Sequence, residues 1–113
     1  LMSSNAFTAD GQLINIDGNG NRVSCLCFGP KHVIIVVSMN KMCADVEDAY
    51  RRIRQDACPP NALRLNLDTP CAKTGYCAEC TSTSSICASF VTTRMSRYPG
   101  RIKVILVGEP LGF

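Results

Sequence analysis

Several apolar stretches of the chain predict β-strands. "HVIIVV", residues 32–37, is continuous and β-branched, which is typical of a strand buried on both faces in a parallel sheet. "SFVTTRM", residues 89–95, alternates apolar and polar side chains, and "IKVILVG", residues 102–108, follows after a short Pro-Gly turn, so the two are expected to pair as a hairpin. An earlier hairpin is predicted in "NAFTADGQLINIDG", because Asp10-Gly11 is a strong turn signal.

One long segment between these strands has the periodicity of a helix. From Asn40 to about Ala57 the apolar residues recur every three or four positions and form a stripe along one helical face. Acidic side chains lie early in the segment and arginines lie late, an order that the helix dipole favours. Arg22 to Phe28 is a shorter apolar piece that fits either a strand or two helical turns. Strand, helix, loop and strand in this order predict an α/β fold with a mixed, mainly parallel sheet flanked by helices.

The composition narrows the class of protein. The chain has 113 residues, a net charge of +3 and 19% charged residues, values typical of a single globular domain over residues 1–113. The basic residues form no stripe with interleaved aromatics, which argues against a nucleic-acid partner. The longest apolar run, Val33 to Val37, is far shorter than the about 20 residues of a membrane span. Residues 1–7 lack the basic start and long apolar run of a secretory signal, so the sequence predicts a cytoplasmic protein without a membrane span.

A cysteine-rich loop, residues 69–87, carries the most distinctive candidate chemistry. Cys71, Cys77, Cys80 and Cys87 have the spacing C-x5-C-x2-C-x6-C, in which only one pair has the C-x2-C spacing that grips one ion. Four thiolates on one loop can satisfy a tetrahedral zinc ion, and they can equally hold an iron–sulfur cluster, although the usual ferredoxin spacing is absent. Disulfides and unligated thiols are the alternatives. The remaining cysteines lie in or beside apolar elements and are expected to pack as small hydrophobic side chains: Cys25, Cys27, Cys43 and Cys58.

A glycine-rich loop, "DGNGN" at residues 17–21, is the second candidate site. Successive backbone N–H groups in such a loop can form an anion-binding nest, and a helix that starts at Asn21 would add its positive end. Arg22 is then placed to pair with a phosphate or carboxylate. The candidate ligand-binding residues are therefore Asp17, Gly18, Gly20, Asn21 and Arg22. Because the loop matches neither G-x-G-x-x-G nor the Walker pattern, a tight structural turn is the alternative.

No catalytic constellation stands out from the residues. His32 is the only histidine, and its position at the start of a strand is more typical of a partly exposed edge residue than of a catalyst. No Ser-His-Asp set or nucleophile elbow can be identified. Glu109 and Asp17 are the two carboxylates that a transferase mechanism with a nucleophilic carboxylate would have to use.

Several segments together resemble the LUD domain, the family of the lactate-utilisation protein C subunit, over nearly the whole chain. They are "SSNAFTADGQLINIDGNGNRV", "GPKHVIIVV", "NK" with the helix after it, "TPCAKTGYCAEC", "SSIC" and "RIKVILVGEPLGF". The most specific parts are "NIDGNGNRV" and the P-C-x-K-T-G-x-C-x-x-C run.

The resemblance implies a fold similar to the sugar-isomerase and coenzyme A transferase-like α/β proteins. It also implies a role in a system that oxidises L-lactate to pyruvate together with partner subunits that carry iron–sulfur clusters. It assigns no catalytic residue, and it marks only the glycine-rich loop and the four loop cysteines as candidate positions. A non-catalytic, metal-stabilised interaction module and a coenzyme A transferase-like enzyme that binds an acyl group or small anion are the alternative functions.

Members of the family are longer on the N-terminal side, so the resemblance implies that this chain corresponds to their C-terminal part. A domain without its first strands and helices would expose a sheet edge and apolar surface, which favours pairing with another copy. The sequence therefore predicts a homodimer or a higher homo-oligomer.

Overall fold

The early hairpin forms the centre of the fold. The computed structural model describes residues 1–113. β1 (Ala6–Thr8) and β2 (Leu13–Asp17) pair antiparallel around a tight turn, in which the Gly11 amide donates to the Thr8 carbonyl at 2.9 Å. Gly11 has φ 91°, which glycine adopts without strain, and the predicted Asp10-Gly11 turn is therefore confirmed.

The strands divide into two sheets. β4 (Met42–Cys43) pairs parallel to β1, and β5 (Ser89–Thr93) pairs antiparallel to β2, which gives the order β4-β1-β2-β5. β3 (Val33–Ser38) and β6 (Ile102–Val107) form a separate parallel pair. The structure is therefore α/β with mixed strand pairing, as the sequence predicts, and the likeness to sugar isomerases and coenzyme A transferases stays a prediction.

The predicted hairpin between β5 and β6 is wrong, since each pairs with a strand far away in the sequence. Alternation and turn residues identify a strand but not its partner. Arg101 places β6 beside β3, because its guanidinium donates to the carbonyls of Cys25, Leu26 and Pro30 at 3.0, 2.7 and 2.9 Å. Its own carbonyl accepts from the Val33 amide at 2.8 Å.

The long helix predicted from Asn40 begins later in the structure, at Val46, and a π-helical turn divides it from a further helix. α1 (Asn21–Cys27) precedes β3, and a 3-10 turn (Met39–Lys41) follows it. α2 (Val46–Arg52) begins after Asp45, whose side chain accepts from the Asp48 amide at 2.8 Å and caps the helix. A π-helical turn (Ile53–Ala57) then leads into α3 (Cys58–Arg64), and a short α4 (Pro70–Thr74) lies within the cysteine-rich loop.

The β1–β2 hairpin is buried on both faces and separates two apolar clusters. On one face Ala6, Ile14 and Ile16 pack against side chains of α2, the π-helical turn and α3, including Ile53. On the other face Phe7 and Leu13 pack against Leu26 of α1 and the inward side chains of β3: Val33, Ile35 and Val37. Because Ile34 remains 38% exposed, β3 is covered on one face only and not on both as predicted. None of the helices has the length and apolar composition needed to cross a bilayer.

Candidate functional site

The glycine-rich loop connects β2 to α1 and is closed by its own aspartate. One carboxylate oxygen of Asp17, Oδ1, accepts from the Asn19 amide at 3.2 Å and from the Gly20 amide at 3.1 Å. Gly20 has φ 75° and ends the turn directly before α1. Two of the N–H groups that the sequence offers to an anion are thus satisfied within the loop, as in an Asx turn.

Arg22 projects from α1 back toward the hairpin, and its terminal N–H groups are all engaged. Nη2 donates to Asn5 Oδ1 and to the Ile16 carbonyl, both at 2.9 Å, and Nη1 donates to Asn15 Oδ1 at 3.2 Å and to the Ser3 carbonyl at 3.4 Å. The Arg22 side chain therefore holds strands together and contributes positive charge, and its terminal nitrogens have no free donor for a ligand.

The counter-ion of Arg22 is Asp17, which is 7% exposed. Arg22 Nε lies 3.4 Å from Asp17 Oδ2, close enough for an ion pair but not aligned as a hydrogen bond. Oδ2 is consequently the one buried side-chain oxygen or nitrogen without a hydrogen-bond partner.

Two asparagines complete this polar network and were not singled out by the sequence. Asn5 Oδ1 also accepts from the Ile16 amide at 3.0 Å, and Asn15 Oδ1 accepts from the Asn5 amide at 3.2 Å. Asn15 is fully buried, and its amide group donates to the Ser4 hydroxyl at 3.1 Å. The sequence did contain a signal for Asn15, because it is a polar residue at an inward position of an otherwise apolar strand.

Lys41, which ends the 3-10 turn after β3, is the cation that the network leaves without a partner. The residue as a whole is only 8% exposed, and its ammonium nitrogen, which is not itself fully buried, makes no hydrogen bond or ion pair. Burial is the main cause that lowers the pKa of Lys41, and the positive charges of Arg52 and Arg22 lower it further. Because a partly desolvated ammonium without an acceptor is costly, a negatively charged partner at this group would be stabilising.

Lys41 and Arg22 line an open cavity of about 670 Å³, here called the basic cavity. Gly18 and Asn19 of the glycine-rich loop form one side, and residues 83–86 and Phe113 form others. No aspartate or glutamate lines it, whereas asparagine, serine and threonine side chains are frequent. The cavity thus has the charge and hydrogen-bonding groups that suit a small anion.

The two candidate nucleophilic carboxylates do not face this cavity as free groups. Asp17 is occupied by the loop and by Arg22, as described above. Glu109 is exposed and does not line the cavity, and its backbone carbonyl accepts from the Ser38 hydroxyl. The exposed His32 lies beside Lys103, with its Nδ1 3.3 Å from Lys103 Nζ. The geometry therefore assigns no nucleophile.

A larger depression of about 1130 Å³ lies along α2, and both of its arginines pair with acidic side chains that line it. Arg51 pairs with Asp48, and Arg54 pairs with Glu79 at 2.8 Å. Since these groups are satisfied by their neighbours and open to solvent, the depression is a solvated surface rather than a binding site.

The cysteine-rich loop encloses a second, smaller cavity of about 150 Å³, here called the cysteine cavity. All four of the predicted loop cysteines line it, together with Cys58 at the start of α3, which the sequence had placed among the packing cysteines: Cys58, Cys71, Cys77, Cys80 and Cys87. Thr69 begins α4 within the loop, and its hydroxyl accepts from the Ala72 amide at 3.4 Å and lies 3.3 Å from Cys71 Sγ.

Within the cysteine cavity, the sulfurs of Cys58 and Cys87 are in contact. Their Sγ atoms lie 3.5 Å apart. A hydrogen bond with the Cys58 thiol lowers the pKa of Cys87 to about 7, and the Ser85 hydroxyl and the charge of Arg54 act in the same direction. The pKa of Cys58 is raised, mainly by this contact with Cys87 and by its own burial. Cys87 is therefore the member of the pair that ionises first.

The metal prediction for Cys71, Cys77, Cys80 and Cys87 stays a prediction. The four side chains share one cavity, but no three histidine, cysteine, aspartate or glutamate side chains are grouped closely enough to hold a metal ion. A single zinc ion would draw its sulfur ligands to about 2.3 Å from one point. The observed arrangement does not fit a mononuclear centre without movement of the loop.

The comparisons with known proteins bear on the whole chain. No curated protein and no solved structure matches it significantly. The model of one family, described as the LUD domain, matches residues 1–107, which include the glycine-rich loop, Lys41 and all the cysteines. The chain therefore belongs to the LUD domain family, which is associated with lactate utilisation.

Proposed function

We propose that this LUD domain protein binds a small carboxylate in the basic cavity as a subunit of a system that oxidises L-lactate to pyruvate. The observation that supports the proposal is the side chain of Lys41, which is largely buried, makes no hydrogen bond or ion pair through its ammonium group, and lines a cavity without acidic residues. Lactate and pyruvate are both small carboxylates, and family membership makes them the first ligands to consider.

The two cations that line the basic cavity, Arg22 and Lys41, have different roles in the proposed binding. Arg22 is fixed by four hydrogen bonds and supplies a stationary positive charge, whereas Lys41 supplies free N–H donors. A carboxylate beside Lys41 would form charge-assisted hydrogen bonds and offset the cost of a partly desolvated, unpaired ammonium. Asn61 and Ser84 also line the cavity and offer neutral hydrogen-bonding groups to a hydroxyl or keto group.

We propose that electrons from lactate pass to partner subunits that carry iron–sulfur clusters, the kind of partner that the family resemblance implies. Isolation of the protein with its native partners, followed by iron and sulfide analysis of the assembly, tests this part. A complex without iron–sulfur subunits would contradict it.

Binding itself is tested by calorimetric titration of the purified protein with L-lactate, pyruvate and acetate. The Lys41→Met variant keeps the length of the side chain and removes its charge, and we expect a loss of carboxylate binding of about tenfold or more, since a charged hydrogen bond contributes about 1.5–3 kcal/mol. Lys31→Met, which removes the same charge from an exposed position, is the matched control and should bind like the original protein.

The pH dependence provides an independent measurement. Because the pKa of Lys41 is lowered, its ammonium is lost at a lower pH than that of an ordinary lysine, and carboxylate affinity should fall at that same pH. Equal affinities for Lys41→Met, Lys31→Met and the original protein would refute the proposed site.

The metal-stabilised interaction module is favoured by one observation, the five cysteines that line a single cavity. Metal analysis of anaerobically purified protein distinguishes it from the carboxylate proposal. Bound zinc whose removal unfolds the domain would support the module.

A further inference from the structure

Cys58 and Cys87 are brought together by the fold and not by the sequence. Cys58 is the first residue of α3 and is 7% exposed, whereas Cys87 is half-buried in the loop before β5. The two sulfurs lie 3.5 Å apart, and no other pair of cysteine sulfurs makes a hydrogen bond. Neither residue contributes to the carboxylate proposal.

Both residues border the cysteine cavity, which gives a small reagent access to them. Its volume of about 150 Å³ admits a molecule of a few heavy atoms but not a bulky one such as a tripeptide disulfide. Arg54 also lines this cavity, and its Nη1 lies 2.8 Å from Glu79 Oε1 in an ion pair. Cys87 is the more exposed residue of the pair, so an entering molecule meets it before Cys58.

We propose that Cys58 and Cys87 form a thiol pair that a small hydroperoxide oxidises to a disulfide, with Cys87 as the residue oxidised first. The Cys87 sulfur attacks one peroxide oxygen, the O–O bond breaks, and the products are a sulfenic acid at Cys87 and an alcohol or water. The Cys58 thiol then attacks the Cys87 sulfur, and the sulfenic oxygen leaves as water. Overall, two thiols and one hydroperoxide give one disulfide, one water and one alcohol. When the oxidant is hydrogen peroxide, a second water takes the place of the alcohol.

The geometry requires only a small movement for the second step. A disulfide bond measures about 2.05 Å, so the two sulfurs must approach by about 1.5 Å. Cys58 is fixed in a helix, but Cys87 lies in a loop segment after Ser85, whose hydroxyl accepts from the Cys87 amide at 3.1 Å. A change of the Cys87 side-chain rotamer together with a small shift of this loop closes the gap.

The test uses the full chain, reduced and freed of metal, with one equivalent of hydrogen peroxide and peptide mapping by mass spectrometry without reductant. We expect a loss of two free thiols per chain and a cross-linked peptide pair that contains Cys58 and Cys87. In the Cys58→Ser variant the sulfenic acid at Cys87 should accumulate and react with dimedone. Cys25→Ser, which removes an exposed cysteine elsewhere, is the control and should form the same cross-link.

Two results would overturn the proposal. One is a disulfide among Cys71, Cys77 and Cys80 that forms while the Cys58 thiol remains free. The other is a metal ion in the protein as purified that is lost in Cys87→Ser but retained in Cys58→Ser, because a metal-bound sulfur would not be available to the peroxide. Circular dichroism of each variant establishes that it is folded.

Discussion

At the scale of single residues, Arg22 of α1 connects the segment before β1 with β2. Its guanidinium binds the segment before β1 and two residues of β2, and it is the only cation beside buried Asp17. We expect Arg22→Ala to lower the free energy of unfolding by about 3 kcal/mol, because it leaves a buried carboxylate and several acceptors without partners. Urea unfolding measures this loss.

Arg97→Ala is the matched control, because Arg97 is exposed and makes no hydrogen bond or ion pair. Its unfolding midpoint should stay near that of the original protein. If both variants lost the same stability, the network around Arg22 would not be a source of stability.

The lowered pKa of Cys87 predicts an unusual dependence of thiol alkylation on pH. Since the thiolate is the reactive form, the alkylation rate of Cys87 should rise through about pH 7, well below the ordinary cysteine value of 9.0. The Cys58→Ala variant removes the hydrogen bond and keeps most of the burial, so the midpoint should move up. Isotope-coded iodoacetamide and mass spectrometry follow the peptide that contains Cys87, and an unchanged midpoint in Cys58→Ala would contradict the assigned cause.

The sequence predicted some of these residues and not others, for a physical reason. Asp17 and Arg22 lie next to a recognisable turn, so local composition pointed to them, although most of their donors and acceptors are engaged within the protein. Lys41 was recognised only as part of a family motif, and Cys58 was expected to pack in the core. The importance of both depends on burial and on neighbours distant in sequence, which local patterns do not contain.

At the scale of elements, the glycine-rich loop packs tightly against the end of the cysteine-rich loop. A Cβ atom added at Gly18 would lie 3.1 Å from Ile86 Cα, and the Ala88 amide donates to the Asp17 carbonyl at 3.1 Å. We expect Gly18→Ala to lower the free energy of unfolding by about 1–3 kcal/mol, because the obstacle is backbone and the two loops must separate.

Gly108→Ala provides the comparison for this prediction. A Cβ at Gly108 meets no atom within 4 Å and its φ is not positive, so the substitution should change stability by no more than about 0.5 kcal/mol. Thermal unfolding of both variants measures the difference in stability. Equal melting temperatures would show that the two loops are not tightly packed at Gly18.

Element types were easier to predict than their ends or partners. The β1–β2 hairpin and the identity of β3, β5 and β6 as strands followed from periodicity and turn residues. The start of α2 depended on capping by Asp45, which placed it at Val46 instead of Asn40. The pairing of β6 with β3 depended on Arg101, whose contacts with three carbonyls no periodicity reveals.

At the scale of the whole molecule, β6 leaves apolar side chains in contact with water. Val104, Ile105 and Leu106 are 44%, 51% and 53% exposed, and the strand has a partner on one side only. An open edge with apolar side chains favours pairing with another strand, so the predicted homodimer is proposed to form along β6.

Light scattering after gel filtration tests this proposal, with a mass of two chains as the expected result. Ile105→Lys places a charge on the edge strand and should shift the mass to that of one chain, whereas Lys103→Glu retains a charged residue there and serves as the control. A single-chain mass for the original protein would contradict the dimer.

The parallel pairing of β3 with β6 also has a consequence for synthesis of the protein. Val33 faces Ile102 and Ser38 faces Val107, so every paired residue is separated from its partner by 69 positions of the chain. During translation β3 leaves the ribosome long before β6 exists. Until then, the edge of β3 that later pairs with β6 has no partner strand. Contacts of such high sequence separation form slowly, and unpaired apolar edges aggregate in the meantime. The nascent chain is therefore most vulnerable in the interval between residue 38 and residue 107.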